Sequence, residues 1–581
     1  MRPVARALWI ASILPLLVPV PVGSAATGVA APARTRAAGD AGALDLPGAQ
    51  AAMAAIRPEA IEAHMRFLAD GLLEGRAPGG RGYAIAARYV VAQMEATGLQ
   101  PAGSGGGWYQ EVPLRQTVLD AEKSSVVLAR GGREEVLVEG TDYTSGGDLL
   151  RTDTSVEAPL LFAGFGVTAP DQGYDDFAGV DARGRILVVL GGAPPTFPST
   201  LRAHYSNRAV KARNAVAHGA IGVLGMATPE AQRMFPWDWS VPQARAGRLD
   251  WLTGDGAPHD VFPELRGGAS LSPAAAERLF AGAPKTLEEI FAAAAAGRPQ
   301  SFPLAVEARL HLASRHTEFE SPNVVGLLRG SDPALRDQYV VFSAHIDHLG
   351  HCDPRGGDDV CHGAVDNASG VASLLEVARA FAALPKPPRR SILFAFVTGE
   401  EKGLLGSDYF ARFPTVPKSA MIANINIDGA VSLIFPTTDV VGLGMEHSTL
   451  ARDVEAAARI LGYSLSPDPE PEEMGFIRND AYSFVRQGVP AVILTDGGKS
   501  ADPKIDHHAA MHEWETTRYH LPLDDMRQPL DFAGAARGTR LQFLTGYGVA
   551  ERADPPAWNP DDFFGKKYGA AVSASGGSSN R

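Results

Sequence analysis

The chain has 581 residues, too long for one ordinary core, and 45% hydrophobic residues fit a globular protein of two or three domains. Its formal net charge of −13 argues against a surface built for nucleic acid or anionic membrane. The 63 glycines and 43 prolines imply many turns, and no helical repeat, heptad, basic recognition helix or zinc-finger spacing is present.

At the N-terminus, Arg2 and Arg6 precede the apolar run ALWIASILPLLVPVPV, and Gly23-Ser24-Ala25 offers a small-residue cleavage site. Residues 1–25 therefore read as a signal peptide. The alternative, an uncleaved anchor, is disfavoured by a short run broken at Pro15, Pro19 and Pro21. Without a cysteine at the cleavage point or a later span, the expectation is an exported, periplasmic or secreted protein with no stable membrane insertion. Small and polar residues over 26–50 read as a linker. From Ile61 to Leu99 the pattern is helical, interrupted by the turn GRAPGGRG. Strand-like runs follow, YQEVPL, SSVVLA, LLFAGFGV and RILVVLGG, and then KARNAVAHGAIGVLG as helix into strand. These alternations suggest a compact α/β unit over about 125–310 with no cluster of catalytic residues, and His218 there reads as an ordinary packing or surface histidine.

A second α/β series begins at Asn323. Its strand candidates are NVVGLL, QYVVFSA, SILFAFV, AMIANINI and AVILT, with GVASLLEVARAFAAL and STLARDVEAAARILG as helices between them. The predicted fold class is α/β, a mostly parallel or mixed sheet covered by helices on both faces, with ligands at the carboxyl ends of strands. Just there lie the chemistry-bearing residues. His345 and Asp347 end one strand in SAHIDHLG, two apart and so on one side if strand geometry persists. A carboxylate near a ligand histidine can orient its ring. Asp366 sits in the Gly-rich turn HGAVDNASG ahead of a helix. Glu400 and Glu401 follow the apolar run ILFAFV, where two adjacent carboxylates repel and one gains a proton unless cations hold both charges. Asp428 ends NINIDG, and YHLPLDD supplies His520 and Asp524.

Five nitrogen or oxygen ligands from among these residues, with one bridging carboxylate, suit two divalent ions. The absence of cysteine ligands favours zinc, with manganese or cobalt as substitutes. His348, His351, His507, His508 and His512 remain alternative ligands. Cys352 and Cys361, the chain's two cysteines, flank a polar Gly-rich loop. In an oxidising compartment a local disulfide is expected, with two free thiols as the alternative.

The series HIDH, GAVDNASG, VTGEEKGLLGS, NINIDG and RYHLPLDD resembles the secreted di-zinc aminopeptidases related to bacterial leucyl aminopeptidase and glutamate carboxypeptidase. That resemblance implies two Zn2+ per subunit, with Asp366 bridging, His345 and Asp428 completing one shell, and Glu401 and His520 the other. It implies Glu400 as general base towards a water shared by the ions, Asp347 orienting His345, and Asp524 as an outer partner. The implied reaction removes N-terminal residues from peptides with a free N-terminus. Alternatives are a carboxypeptidase of the same fold, a glutaminyl-cyclase-like acyl transferase and a non-catalytic binding protein. GYDDFAGVDARGRILVVLGG with KARNAVAHGAIGVLG resembles a protease-associated (PA) domain inserted in such peptidases. The expected organisation is 51–124 as the N-terminal part of the peptidase domain, 125–310 as the PA insert, 311–550 as the di-zinc domain and 551–581 as a flexible tail. One departure from the family pattern is Asn479-Asp480-Ala481, where many relatives have SDH or SDY; it bears on substrate contacts.

Overall fold

The computed structural model describes residues 46–298 and 300–569. The expected signal peptide and most of the linker lie outside the described residues, as do residues 570–581 of the expected tail.

The centre of the molecule is four parallel strands, in spatial order Ser391–Val397, Tyr339–His345, Met421–Asn426 and Ala491–Asp496. The first three are buried at every position, which is why they read as mostly apolar runs rather than as alternating ones; their buried Ser343, Asn424 and Asn426 bond to one another. Alternate residues serve opposite faces. Val340, Phe342 and Ala344 join a core with helices Pro58–Leu68, Gly370–Ala382 and Phe532–Glu551, whereas Tyr339 and Val341 pack with Phe410 and Phe484 on the other side. At Gly546 the long helix rides directly on the sheet: a Cβ there would meet the Phe342 ring at 2.2 Å. Antiparallel strands close both edges, Asp439–Leu443 against Ala491–Asp496 and the end of Ser301–Leu328 against Ser391–Val397. The fold is thus a mixed α/β sheet flanked by helices. Tyr339–His345 has Ser391–Val397, the next strand of this sheet in sequence, on one side and Met421–Asn426, the one after it, on the other, a switch point whose crevice opens at the strands' carboxyl ends.

The 28-residue strand Ser301–Leu328 belongs to two ladders. Its second half pairs with Tyr109–Leu119, and its first half with Ser125–Arg130 and Asp153–Ala163. From Asp153–Ala163 a parallel ladder continues through Ile186–Leu190, Gly222–Met226 and Gly268–Leu271. One strand therefore carries the chain from the 125–310 stretch into the central sheet.

The expected flexible tail needs correction over its first part. Phe563–Tyr568 is a helix whose Phe564 is fully buried against His447 and Phe476, and Trp558 donates through Nε1 to the Gly488 carbonyl at 3.0 Å. Burial of these aromatics overrides the Pro/Gly-rich character of the sequence around them. Among the described residues, no helix is long and apolar enough to cross a membrane.

Candidate metal centre

The predicted ligands His345, Asp366, Glu401, Asp428 and His520, with Glu400 beside them, come together at the carboxyl ends of the central strands. His345 is the last residue of its strand, and Glu400 and Glu401 follow Val397 after the tight turn at Gly399, φ +68°. Asp428 lies two residues past Asn426, and Asp366 stands between Gly363 and helix Gly370–Ala382. His520 arrives from the loop after helix His507–Thr517.

Two donor groups result, each with ligand atoms within 4.8 Å of one another: His345, Asp366 and Asp428, and His348, Asp366, Glu401 and His520. Asp366 is common to both. Its Oδ1 is 3.4 Å from His345 Nε2, and its Oδ2 is 3.1 Å from His520 Nε2. His345 Nε2 is 3.2 Å from Asp428 Oδ1, and His520 Nε2 is 3.0 Å from Glu401 Oε2. Imidazole and carboxylate donors without a thiolate fit divalent zinc, manganese or cobalt. Of the five alternative histidines, His348 reaches the centre, its Nδ1 2.5 Å from Glu401 Oε1. The HIDH spelling contained it, but spacing did not separate it from its neighbours. His351 instead pairs with Asp359 and His508 with Glu470.

Glu400 stands beside these groups, its Oε2 3.9 Å from His345 Nε2. The acidic pair splits as repulsion requires. Burial, together with the Asp428 and Glu401 charges, raises Glu400 well above the usual carboxylate range against the pull of His345. Burial and the Asp366 charge also act to raise Glu401, but the imidazoles of His520 and His348 overcome them and hold it well below that range. His520 is lifted to about 9: burial opposes this, and the Glu401 charge with the Asp366 and Glu401 contacts prevails. A metal must therefore compete with a proton on this ring.

Asp347 takes a different position from the one expected. The His345 Nδ1–H donates to the Asp347 carbonyl at 3.1 Å, while the Asp347 carboxylate is 3.9 Å from that ring and accepts the Glu400 amide at 3.2 Å. Asp524 is fully buried beneath the Asp366 turn. Its Oδ1 accepts the Val365 amide at 3.0 Å and Gln528 Nε2 at 2.7 Å, and its Oδ2 accepts the Asp366 amide at 3.1 Å. Asp480, absent from the expected set, is buried nearby, and burial lifts it to about 6 against the attraction of His345. Cys352 and Cys361 form the expected disulfide, closing the hairpin of His351–Arg355 and Asp358–Val360. From the 125–310 stretch, Trp239 lies parallel to His520 with centroids 6.3 Å apart.

Residues 323–542 match the model of peptidase family M28. Over that stretch the chain is similar to the M28 peptidases. It is 36% identical over 137 residues to mouse Aminopeptidase NAALADL1, covering 22% of this chain and 16% of that protein. It is 37% identical over 262 residues to a Probable zinc metalloprotease of Pyrenophora tritici-repentis, covering 40% and 58%. The matches thus span less than two thirds of these curated relatives. The aminopeptidase from Aneurinibacillus sp. strain AM-1 superposes with a TM-score of 0.52 at 18% identity, over 89% of this chain and 99% of that one, a likeness of fold.

Proposed function

We propose that the chain is a zinc-dependent aminopeptidase that hydrolyses N-terminal residues from peptides. The carrying observation is the Asp366 carboxylate, one oxygen turned to the His345–Asp428 group and the other to the His520–Glu401 group. In this reading His345, Asp366 and Asp428 would hold one zinc ion, and Asp366, Glu401 and His520 the other, with His348 keeping Glu401 in place. Bound there, the ions would supply Lewis acidity to water and to the scissile carbonyl. Glu400 takes the proton of the attacking water and passes it to the departing amine. Its burial and its place outside the two donor groups suit a proton carrier. The Asp347 carboxylate fixes Glu400 through its backbone amide. The free substrate amine lies near Asp428, a carboxylate that favours a cation. Residues 125–310 are read as a PA insert that borders the cleft through Trp239, and residues 1–25 as an export signal.

A second reading, a carboxypeptidase, has one observation in its favour. Of Arg355, Arg478 and Arg486, Arg478 comes beside the centre, donating through Nη2 to Tyr519 Oη at 3.0 Å, and Tyr519 stacks on His520. Arg478 is already engaged by Tyr519, the Glu473 carbonyl and the Phe235 ring, and Arg486 is bound to Asp408, which leaves aminopeptidase chemistry the better account. The test is metal removal. Chelation should abolish hydrolysis of a leucine-initiated peptide, and add-back of about two zinc ions per chain should restore it. A metal-free preparation with full activity contradicts the proposal.

A further inference from the structure

The GRAPGGRG stretch contributes no ligand, yet its first arginine lies directly behind the centre. Arg76 is 1% exposed. Its Nε donates to the Ile346 carbonyl at 2.8 Å, Nη1 to the His362 carbonyl at 2.7 Å and to the Leu68 carbonyl, and Nη2 to the Gly363 carbonyl at 2.9 Å. Ile346 is the residue between His345 and Asp347, and Gly363 begins the turn that holds Asp366. A single planar guanidinium thus joins both ligand-bearing segments to the end of helix Pro58–Leu68. Among the described residues no carboxylate lies within 4.0 Å of its nitrogens, and the charges it faces are those of Asp366, Asp524, Asp347 and Glu401. Burial pulls Arg76 down to about 10, so it is a cation at neutral pH.

The backbone is shaped for this placement. Glu74, Gly75 and Arg76 take φ of +52°, +66° and +53°, a costly run for the two non-glycine residues. A Cβ on Gly75 would meet the Gly350 carbonyl at 2.2 Å and the Cys361 carbonyl at 2.6 Å. The Arg76 carbonyl accepts the His348 amide at 3.3 Å, and the Gly75 carbonyl accepts the Gly350 amide at 3.0 Å. Residues 68–76 therefore bracket the loops on both sides of the disulfide hairpin.

We propose that Arg76 is a positioning residue of the metal centre, clamping the His345–His348 and Gly363–Asp366 segments in register and supplying the buried positive charge behind their carboxylates. This rests on the metal reading above. Arg390 provides a matched control: it too is buried and donates to the Val549 and Ala553 carbonyls, but it lies at the start of Ser391–Val397, away from the centre. Zinc affinity of folded protein, measured by competition with a chromophoric chelator, is compared for wild type, Arg76→Lys and Arg390→Lys. Lysine keeps the charge but cannot reach four carbonyls. Both variants should unfold at lower temperature, whereas only Arg76→Lys should bind zinc about 10- to 100-fold more weakly. Wild-type affinity in Arg76→Lys, or equal weakening in Arg390→Lys, would overturn the proposal while leaving the metal reading intact. Absence of zinc binding by wild type would overturn both. A second measurement needs no variant: stripping zinc from the wild-type protein should speed amide hydrogen exchange in residues 68–76, which contain no proposed ligand, together with 346–363. Unchanged exchange in 68–76 would also refute the clamp.

Discussion

Asp524→Asn tests whether the backbone beneath Asp366 is held by charge. The carboxylate accepts three N–H groups, from Val365, Asp366 and Gln528, and all are buried. An asparagine of the same shape offers one oxygen, so its NH2 must face a donor. Gln528 cannot reverse its amide freely, because its Oε1 already accepts Trp514 Nε1 at 2.9 Å. At least one charge-assisted bond is lost, about 1.5–3 kcal/mol. Burial raises the Asp524 carboxyl, so removing its charge returns part of that cost. The expected net loss is about 2 kcal/mol in urea unfolding of the metal-free protein, with zinc affinity down about tenfold as the Asp366 turn loosens. Stability within about 0.5 kcal/mol of wild type and unchanged zinc binding would refute this reasoning.

Three further outcomes are expected. Glu400→Gln should retain near-normal zinc while its rate falls about 10²- to 10⁴-fold, whereas Glu401→Gln should lose zinc; metal content and rate measured together check this, and equal retention with equal modest rates contradicts the division. His447 is raised from about 6.5 to about 9 by Asp562, 2.6 Å away, and by Glu446, in opposition to burial. A raised pKa contributes stability that is complete below about pH 6.5 and lost as pH rises through about 9, so limited proteolysis near Phe563–Tyr568 should quicken over that window and His447→Gln should flatten the response. Replacing Cys352 and Cys361 by serine should destabilise the protein by about 2–3 kcal/mol, read from urea unfolding, because the bridge closes a short loop; an unchanged midpoint contradicts it.

The central strands were legible because strands buried on both faces must be mostly apolar, and residues 339–345, 391–397 and 421–426 are, the buried Ser343, Asn424 and Asn426 being hydrogen-bonded to one another. Their polar ends stood out for the same reason, since no ionisable residue interrupts ILFAFV or MIANIN. His348 was not separable from His351 three residues on, because which loop residue turns inward depends on tertiary contacts, here the Arg76 carbonyl and Glu401. Arg76 itself was hidden, since its partners are carbonyl oxygens, which leave no mark on a sequence. Which atom of Asp347 meets the His345 ring was not legible, because a two-residue spacing specifies a side, not whether carbonyl or carboxylate is the partner. Phe564 is not legible as core because a six-residue helix is too short to carry a period.

The proposed activity is a metal-dependent attack on the peptide bond next to a free N-terminus. One short peptide beginning with leucine, prepared free, N-acetylated and C-amidated, is digested by the zinc-replete protein and read by mass spectrometry. Stepwise loss from the free N-terminus is predicted, indifferent to amidation and strongly inhibited by acetylation, which removes the amine's charge and adds bulk beside Asp428. Loss from the C-terminus, abolished by amidation, would contradict the claim in favour of a carboxypeptidase. Release of ammonia alone from a peptide beginning with glutamine would point to a cyclase, and no turnover of any peptide to a binding protein.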